Sequence, residues 1–327
     1  MSNLETAPQE LLCPSRPGTV EVLEPRLVPL GGPRAMTVRR TLPQRQRSLI
    51  GAWCFVDHYG PDDVAGTGGM SVPPHPHTGL QTVSWLFTGE IKHADSAGYH
   101  ARVRPGELNL MTAGRGISHS EYSTPDTTVL HGAQLWVALP DGARFMEPTF
   151  EHYRPRPLSL AGATLSVFLG TLADETSPVV THTPLLGAEL VIDAGVAVRL
   201  DLNPSFEHGF LVDSGSVTLA GQQLARGELG YVGPGRSELV LEAGPEPVRL
   251  LLIGGTPLGE SIVMWWNFVG RSHDEIVAAR QAWQTEIGAD GARPASPLFG
   301  LPADQEDLPL PAPALPTVTL RPRANPA

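Results

Sequence analysis

Trp85-Leu86-Phe87-Thr88-Gly89-Glu90-Ile91 is echoed further along the chain by Leu211-Val212-Asp213-Ser214-Gly215-Ser216-Val217: an apolar run, a Gly turn, an apolar restart. Short strands punctuated by Gly, Pro and Asp read in this way. Two more correspondences keep the same order. Arg104-Pro105-Gly106-Glu107-Leu108 parallels Ala225-Arg226-Gly227-Glu228-Leu229, and eight residues lead from Gly106 to Gly114 as eight lead from Gly227 to Gly235. One β unit is therefore present twice, and the fold expected is all-β, two tandem barrels.

The bulk numbers agree. At 327 residues the chain is long enough for two cores, and 41% hydrophobic with 17% charged residues suits a globular protein. The 35 Gly and 33 Pro favour turn-rich β structure. A net charge of −11 excludes broad binding to phosphate backbones, which needs clustered Lys and Arg, so no direct nucleic-acid partner is expected. Cys13 and Cys54 make neither a disulfide framework nor a CxxC clamp, which fits a reducing cytoplasm. No apolar run reaches the length of about 18 residues that a spanning helix needs. The start of the chain lacks a basic region followed by an apolar one, and Leu11-Leu12-Cys13 is preceded by Glu5, Gln9 and Glu10, which could not insert. No membrane association is expected.

Four segments follow: a flexible tail over 1–17, a first barrel over 18–150, a second over 151–288, and a Pro-rich tail over 289–327 able to lie as an extended strap. One helix is expected, over about 273–286. Ser272-His273-Asp274-Glu275 is a capping box, and Ile276, Ala279, Trp283 and Ile287 fall on one face, to be laid against a barrel.

The chemistry lies in Pro73-Pro74-His75-Pro76-His77-Thr78-Gly79. Residues at i and i+2 of a strand share a face, so His75 and His77 aim at one point, and Pro76 holds the backbone extended. A second such pair, His119 and Glu121, stands 44 residues on, after Ala113-Gly114-Arg115-Gly116-Ile117-Ser118. If the two strands are neighbours, three imidazoles and one carboxylate meet on a single divalent ion, leaving two positions open in an octahedral site. Nitrogen and oxygen donors without thiolate suit Fe, Mn, Ni, Co, Cu or Zn and resemble non-heme iron sites that activate oxygen. Four histidines, His58, His93, His100 and His131, read as surface or structural. Trp265-Trp266-Asn267-Phe268 reads first as core or inter-domain packing, with a ligand platform as the alternative, and Gly114 and Gly116 around Arg115 read as a tight turn.

These residues resemble a family. His75-Pro76-His77, Gly89, Asp95-Ser96-Ala97-Gly98, Pro105-Gly106 and Met111 to Glu121 are similar to the N-terminal cupin of the pirins, and Phe55-Val56-Asp57-His58-Tyr59-Gly60-Pro61 looks like the family's opening segment. The close match covers about 50–125, and the duplicated barrel extends it to about 285. The resemblance implies two cupin barrels, with His75, His77, His119 and Glu121 where pirins hold their metal, iron first among them. It implies either a dioxygenase acting with dioxygen on a flavonol such as quercetin or another small aromatic, with Glu121 as base, or an iron- or redox-sensing regulator that binds a transcription factor or metabolic enzyme. Gln81 departs from the family's Glu; a neutral amide there would orient a ligand or substrate by hydrogen bonding rather than bind the ion. Arg115 would steady the Glu121 strand or meet an anionic substrate. Counting from Gly215 and Gly235, the second unit offers Asp201, Asn203, Val240 and Glu242 at the equivalent positions. It is therefore expected to bind no metal.

Overall fold

The structure is a computed structural model in which residues 19–29, 36–288, 296–303, 307–323 and 325 are described. The expected 1–17 tail lies outside them. Two cupin barrels are present, each made of a seven-stranded and a four-stranded antiparallel sheet. In the first barrel the long sheet is centred on Leu80–Thr88, Val129–Ala138 and Trp53–Asp63, and it faces a short sheet ordered Ser71–His77, Ile117–Ser123, Ile91–Asp95, His100–Val103. In the second, Glu207–Ser214, Val248–Gly255 and Leu185–Ile192 centre the long sheet, and Ala197–Asp201 with Glu238–Ala243 lead the short one.

The two long sheets pack back to back. Alternation along their strands sends Trp53, Val83, Trp85 and Leu135 to one side of a shared core and Phe168, Leu185, Leu211 and Leu251 to the other. Trp85 stacks on Phe168 with ring centroids 4.5 Å apart. A buried indole N–H needs an acceptor. Trp53 Nε1 donates across the interface to the carbonyls of Leu186 and Gly254, 3.1 Å each, and Trp85 Nε1 donates to Glu189 at 2.7 Å. Asp213 of the second barrel accepts hydrogen bonds from His58 (2.7 Å) and His131 of the first. Burial pushes the Asp213 carboxyl up, but those hydrogen bonds prevail and hold it well below the usual range.

The two interiors differ. The second barrel is filled with apolar side chains, among them Leu190, Leu200, Phe210, Leu239 and Leu241. The first holds two separate apolar clusters, one around Phe55, Leu80 and Trp136, the other around Val38, Tyr59 and Val72. Buried His75, His77, His93, His119 and Glu121 belong to neither.

The positions counted in the second unit need a register correction. Asp201, Asn203, Val240 and Glu242 are all exposed. Their neighbours Leu200, Leu202, Leu239 and Leu241 face inward. A shift of one residue moves a strand's whole set to the other face, and the inward set here is purely aliphatic.

The ends of the chain cross between barrels. Glu21–Leu23 pairs with Leu229–Val232, so the first described strand edges the second barrel's sheet. Conversely, the Val263–Trp265 and Phe268–Gly270 hairpin bridges Thr78 of the first barrel through Phe268, and helix His273–Glu286 packs on that hairpin. Ser272 caps the helix as expected, its hydroxyl accepting from Glu275 N at 3.2 Å. The return bond differs: Glu275 accepts from the Arg271 N–H at 2.8 Å and pairs with Arg144. Ile276 and Trp283 carry the buried face. Part of the Pro-rich C-terminal stretch is a strap over the same region, with Leu310 N donating to the Pro74 carbonyl (2.8 Å) and Trp283 Nε1 to the Leu310 carbonyl (2.8 Å). No described helix is long and apolar enough to cross a membrane.

Candidate metal centre

Strands Ser71–His77 and Ile117–Ser123 are hydrogen-bonded neighbours in which His75 lies directly opposite His119. A bulge between His119 and Glu121 shifts the register there. Ligand atoms of His75, His77 and His119 all lie within 4.8 Å of one another, and His77 Nε2 stands 3.1 Å from His119 Nε2. Two nitrogens held at a right angle about 2.1 Å from one ion would stand roughly 3 Å apart. The separation therefore fits shared ligation.

Glu121 lines the same cavity, though its close group is a different one: its carboxylate lies within 4.8 Å of ligand atoms of His119 and His93. From its sequence His93 reads as a surface or structural histidine. Its strand, Ile91–Asp95, is the other neighbour of Ile117–Ser123, with His93 opposite Glu121 and Asp95 opposite His119. The short sheet thus carries three i, i+2 pairs on adjacent strands. The third, His93 and Asp95, shows the same spacing of ligand-type residues that exposed the other two.

Burial sets the protonation. It pushes His75 down to about 4 and holds His77 and His119 well below the ordinary imidazole range, with nearby imidazoles adding to the effect. Neutral imidazoles are the form that binds metal. Burial lifts the Glu121 carboxyl, which His93 and a 3.5 Å contact from Ser84 partly offset. Among the described residues no Lys or Arg lies in salt-bridge reach of Glu121. A buried carboxylate without a cation is costly, and a divalent ion between it and three neutral imidazoles would remove that cost. These donors fit such an ion.

Facing them across the cavity are Phe55, Asp57, Tyr59, Gln134 and Trp136 from the long sheet, with Trp266 and Asn267 of the hairpin turn and Leu310 of the C-terminal strap completing the lining. Phe55 and Trp136 stack at 4.1 Å. Asp57 is neutralised by Arg40 through two hydrogen bonds of 2.7 and 2.9 Å, which leaves Glu121 as the free carboxylate. Trp266, expected to pack, packs and also lines the cavity, with a backbone φ of 51° at the hairpin tip.

Two predicted residues are not brought to the site. Gln81 shares a strand face with Val83 and Trp85, on the inter-barrel side, and donates to Thr112 Oγ1 at 2.9 Å. Arg115 is at the surface, paired with Glu147 at 3.0 Å. Buried His58 and His131 form a second ligand-type group with Asp213 at the inter-barrel interface, but Arg249, 3.5 Å from the Asp213 carboxylate, opposes a cation there. His100 is exposed.

Comparison with known proteins agrees with the fold. The Pirin family model matches residues 35–137, and that of the pirin C-terminal cupin domain matches 187–287. A Pseudomonas aeruginosa protein provisionally named a quercetin 2,3-dioxygenase is 44% identical, over 83% of this chain and 86% of its own length. Human pirin is 32% identical over 69% of this chain and 85% of its own. A crystal structure of quercetin 2,3-dioxygenase from Acinetobacter baumannii superposes with a TM-score of 0.85 at 39% identity, covering 94% of this chain and 98% of that one.

Proposed function

Because the chain belongs to the pirin family, we propose that it is a metal-dependent dioxygenase acting on a flavonol or another small phenol, with one divalent ion, iron first, held by His75, His77, His119 and Glu121. The observation that carries this reading is the convergence of neutral, buried imidazoles beside a carboxylate with no other cation among the described residues, inside a cavity walled by aromatic rings. The names of the Pseudomonas and Acinetobacter relatives support the reaction class.

When bound, the ion would supply Lewis acidity, lowering the pKa of a phenolic hydroxyl and favouring reaction with dioxygen. The chain supplies the rest. Glu121, beside the imidazoles on the cavity wall, is placed to take the phenol proton. Phe55, Trp136 and Trp266 offer flat apolar surface to an aromatic ring and exclude water. The cavity is small, about 80 Å³. One water needs roughly 10–15 Å³, so a flavonol fits only if the cavity widens.

Metal-loaded protein is expected to consume oxygen above background with at least one member of a panel of flavonols and simpler phenols. Glu121→Gln is expected to slow that uptake by roughly 100-fold or more, the usual range for losing a general base. Background uptake across the panel with metal still bound would overturn the enzymatic reading and favour a regulator that binds a protein partner.

A further inference from the structure

We propose that Asp95, acting through His93, fixes the tautomer of His119 so that its Nε2 lone pair faces the ion. This rests on the metal reading above only for its consequence, since the tautomer itself can be observed without metal.

Protons in this chain of groups can be assigned from the fixed acceptors outward. Asp95 Oδ1 accepts from the backbone N–H groups of Ala97 (3.0 Å) and Tyr99 (3.1 Å), at the turn that ends the strand. Its other oxygen faces His93 Nε2 at 3.1 Å, so His93 carries its proton on Nε2 and donates it. With the His93 ring neutral, its remaining nitrogen, Nδ1, is then an acceptor. It stands 3.3 Å from His119 Nδ1, which must be the donor. His119 therefore bears its lone pair on Nε2, the atom 3.1 Å from His77 Nε2.

The same logic holds for His75, whose Nδ1 donates to the Pro73 carbonyl at 2.9 Å and leaves Nε2 free. His75 draws its orientation from its own backbone, two residues away. His119 draws it from a carboxylate two groups removed, on a neighbouring strand. His93 is one of the two residues whose ligand atoms cluster with Glu121, and it could in principle bind the ion. Both its nitrogens are used in the chain just described, which makes it a positioning residue and not a ligand.

Asp95→Asn tests the assignment, because it preserves shape and reverses one bond. The Asn carbonyl must take the place that accepts the Ala97 and Tyr99 N–H groups, so its amide donor turns toward His93. His93 then accepts on Nε2 and donates from Nδ1, and His119 is driven to carry its proton on Nε2, where it blocks the ion. In ¹⁵N-histidine-labelled protein stripped of metal, long-range ¹H–¹⁵N spectra are expected to show His119 protonated on Nδ1 in the wild type and on Nε2 in D95N. Titration with cobalt(II) is expected to show affinity about 10- to 100-fold weaker in D95N, the usual effect of losing a ligand's orienting partner. If D95N does not fold, His93→Phe keeps a ring beside Phe150, 4.8 Å away, while removing the acceptor. It should weaken cobalt binding in the same range. Protonation of His119 on Nε2 in the wild type, or wild-type cobalt affinity in folded D95N and H93F, would overturn the proposal. Failure of the wild type to bind cobalt while its His119 is protonated on Nδ1 would instead remove the metal reading alone.

Discussion

His119→Ala is expected to abolish stoichiometric metal binding. His119 is opposite His75, 3.1 Å from His77 and within ligand range of Glu121, so its loss opens the set from the middle. Affinity should fall by roughly 100-fold or more, beyond what loss of an orienting neighbour costs. The fold should persist, since the inter-barrel core and the second barrel are untouched. A thermal shift makes the comparison direct. Wild-type protein at 100 times its Kd for metal gains about 2.7 kcal/mol, and H119A should gain about 0.4 kcal/mol or less at that concentration. His131→Ala, in the other histidine cluster, should keep the full metal-dependent gain. Equal gains in wild type and H119A would contradict the assignment.

Acidification is expected to destabilise the protein through buried histidines. His208, on the second barrel's Glu207–Ser214 strand, is buried with neither ring nitrogen hydrogen-bonded among the described residues. Burial lowers its pKa from 6.5 to about 4. A group whose folded pKa is depressed favours the folded state fully above its unfolded pKa, and that stability is lost as pH falls toward the folded value. The window is therefore pH 6.5 down to about 4, and the shift is worth roughly 3 kcal/mol over it. Total stabilities of about 5–15 kcal/mol make this a large fraction. His58 shifts the same way, burial again being the main cause, although its bond to Asp213 opposes it. Asp213, held low by His131 and His58, adds its own loss at still lower pH. The melting temperature should fall steadily between pH 7 and 5, and less steeply in His208→Leu. A flat profile over that range, or an unchanged slope in H208L, would count against this reading.

The sequence made some of this legible for a physical reason. Side-chain direction alternates along a strand, so a pair at i and i+2 declares a common face without knowledge of the fold. His75 with His77, and His119 with Glu121, could be read in that way. The capping residue Ser272 is equally local. What was hidden depends on which strands become neighbours. His93 and Asp95 show the same spacing, but their place beside His119 is set by the sheet order, with Ile117–Ser123 in the middle, which no local pattern reveals. For Gln81, a motif position does not give a direction. Its strand turns that side chain to the inter-barrel face. The second unit's counted positions missed by one residue, enough to exchange exposed Asp201 and Val240 for buried Leu200 and Leu239. Glu21–Leu23 and Leu310 make contacts across some two hundred residues of chain, which periodicity cannot encode.

Crystals grown with bound metal and measured at its absorption edge would test the central claim directly. One anomalous peak is expected, in contact with the Nε2 atoms of His75, His77 and His119 and a Glu121 oxygen. A peak instead between His58, His131 and Asp213, or none in metal-replete crystals, would contradict it.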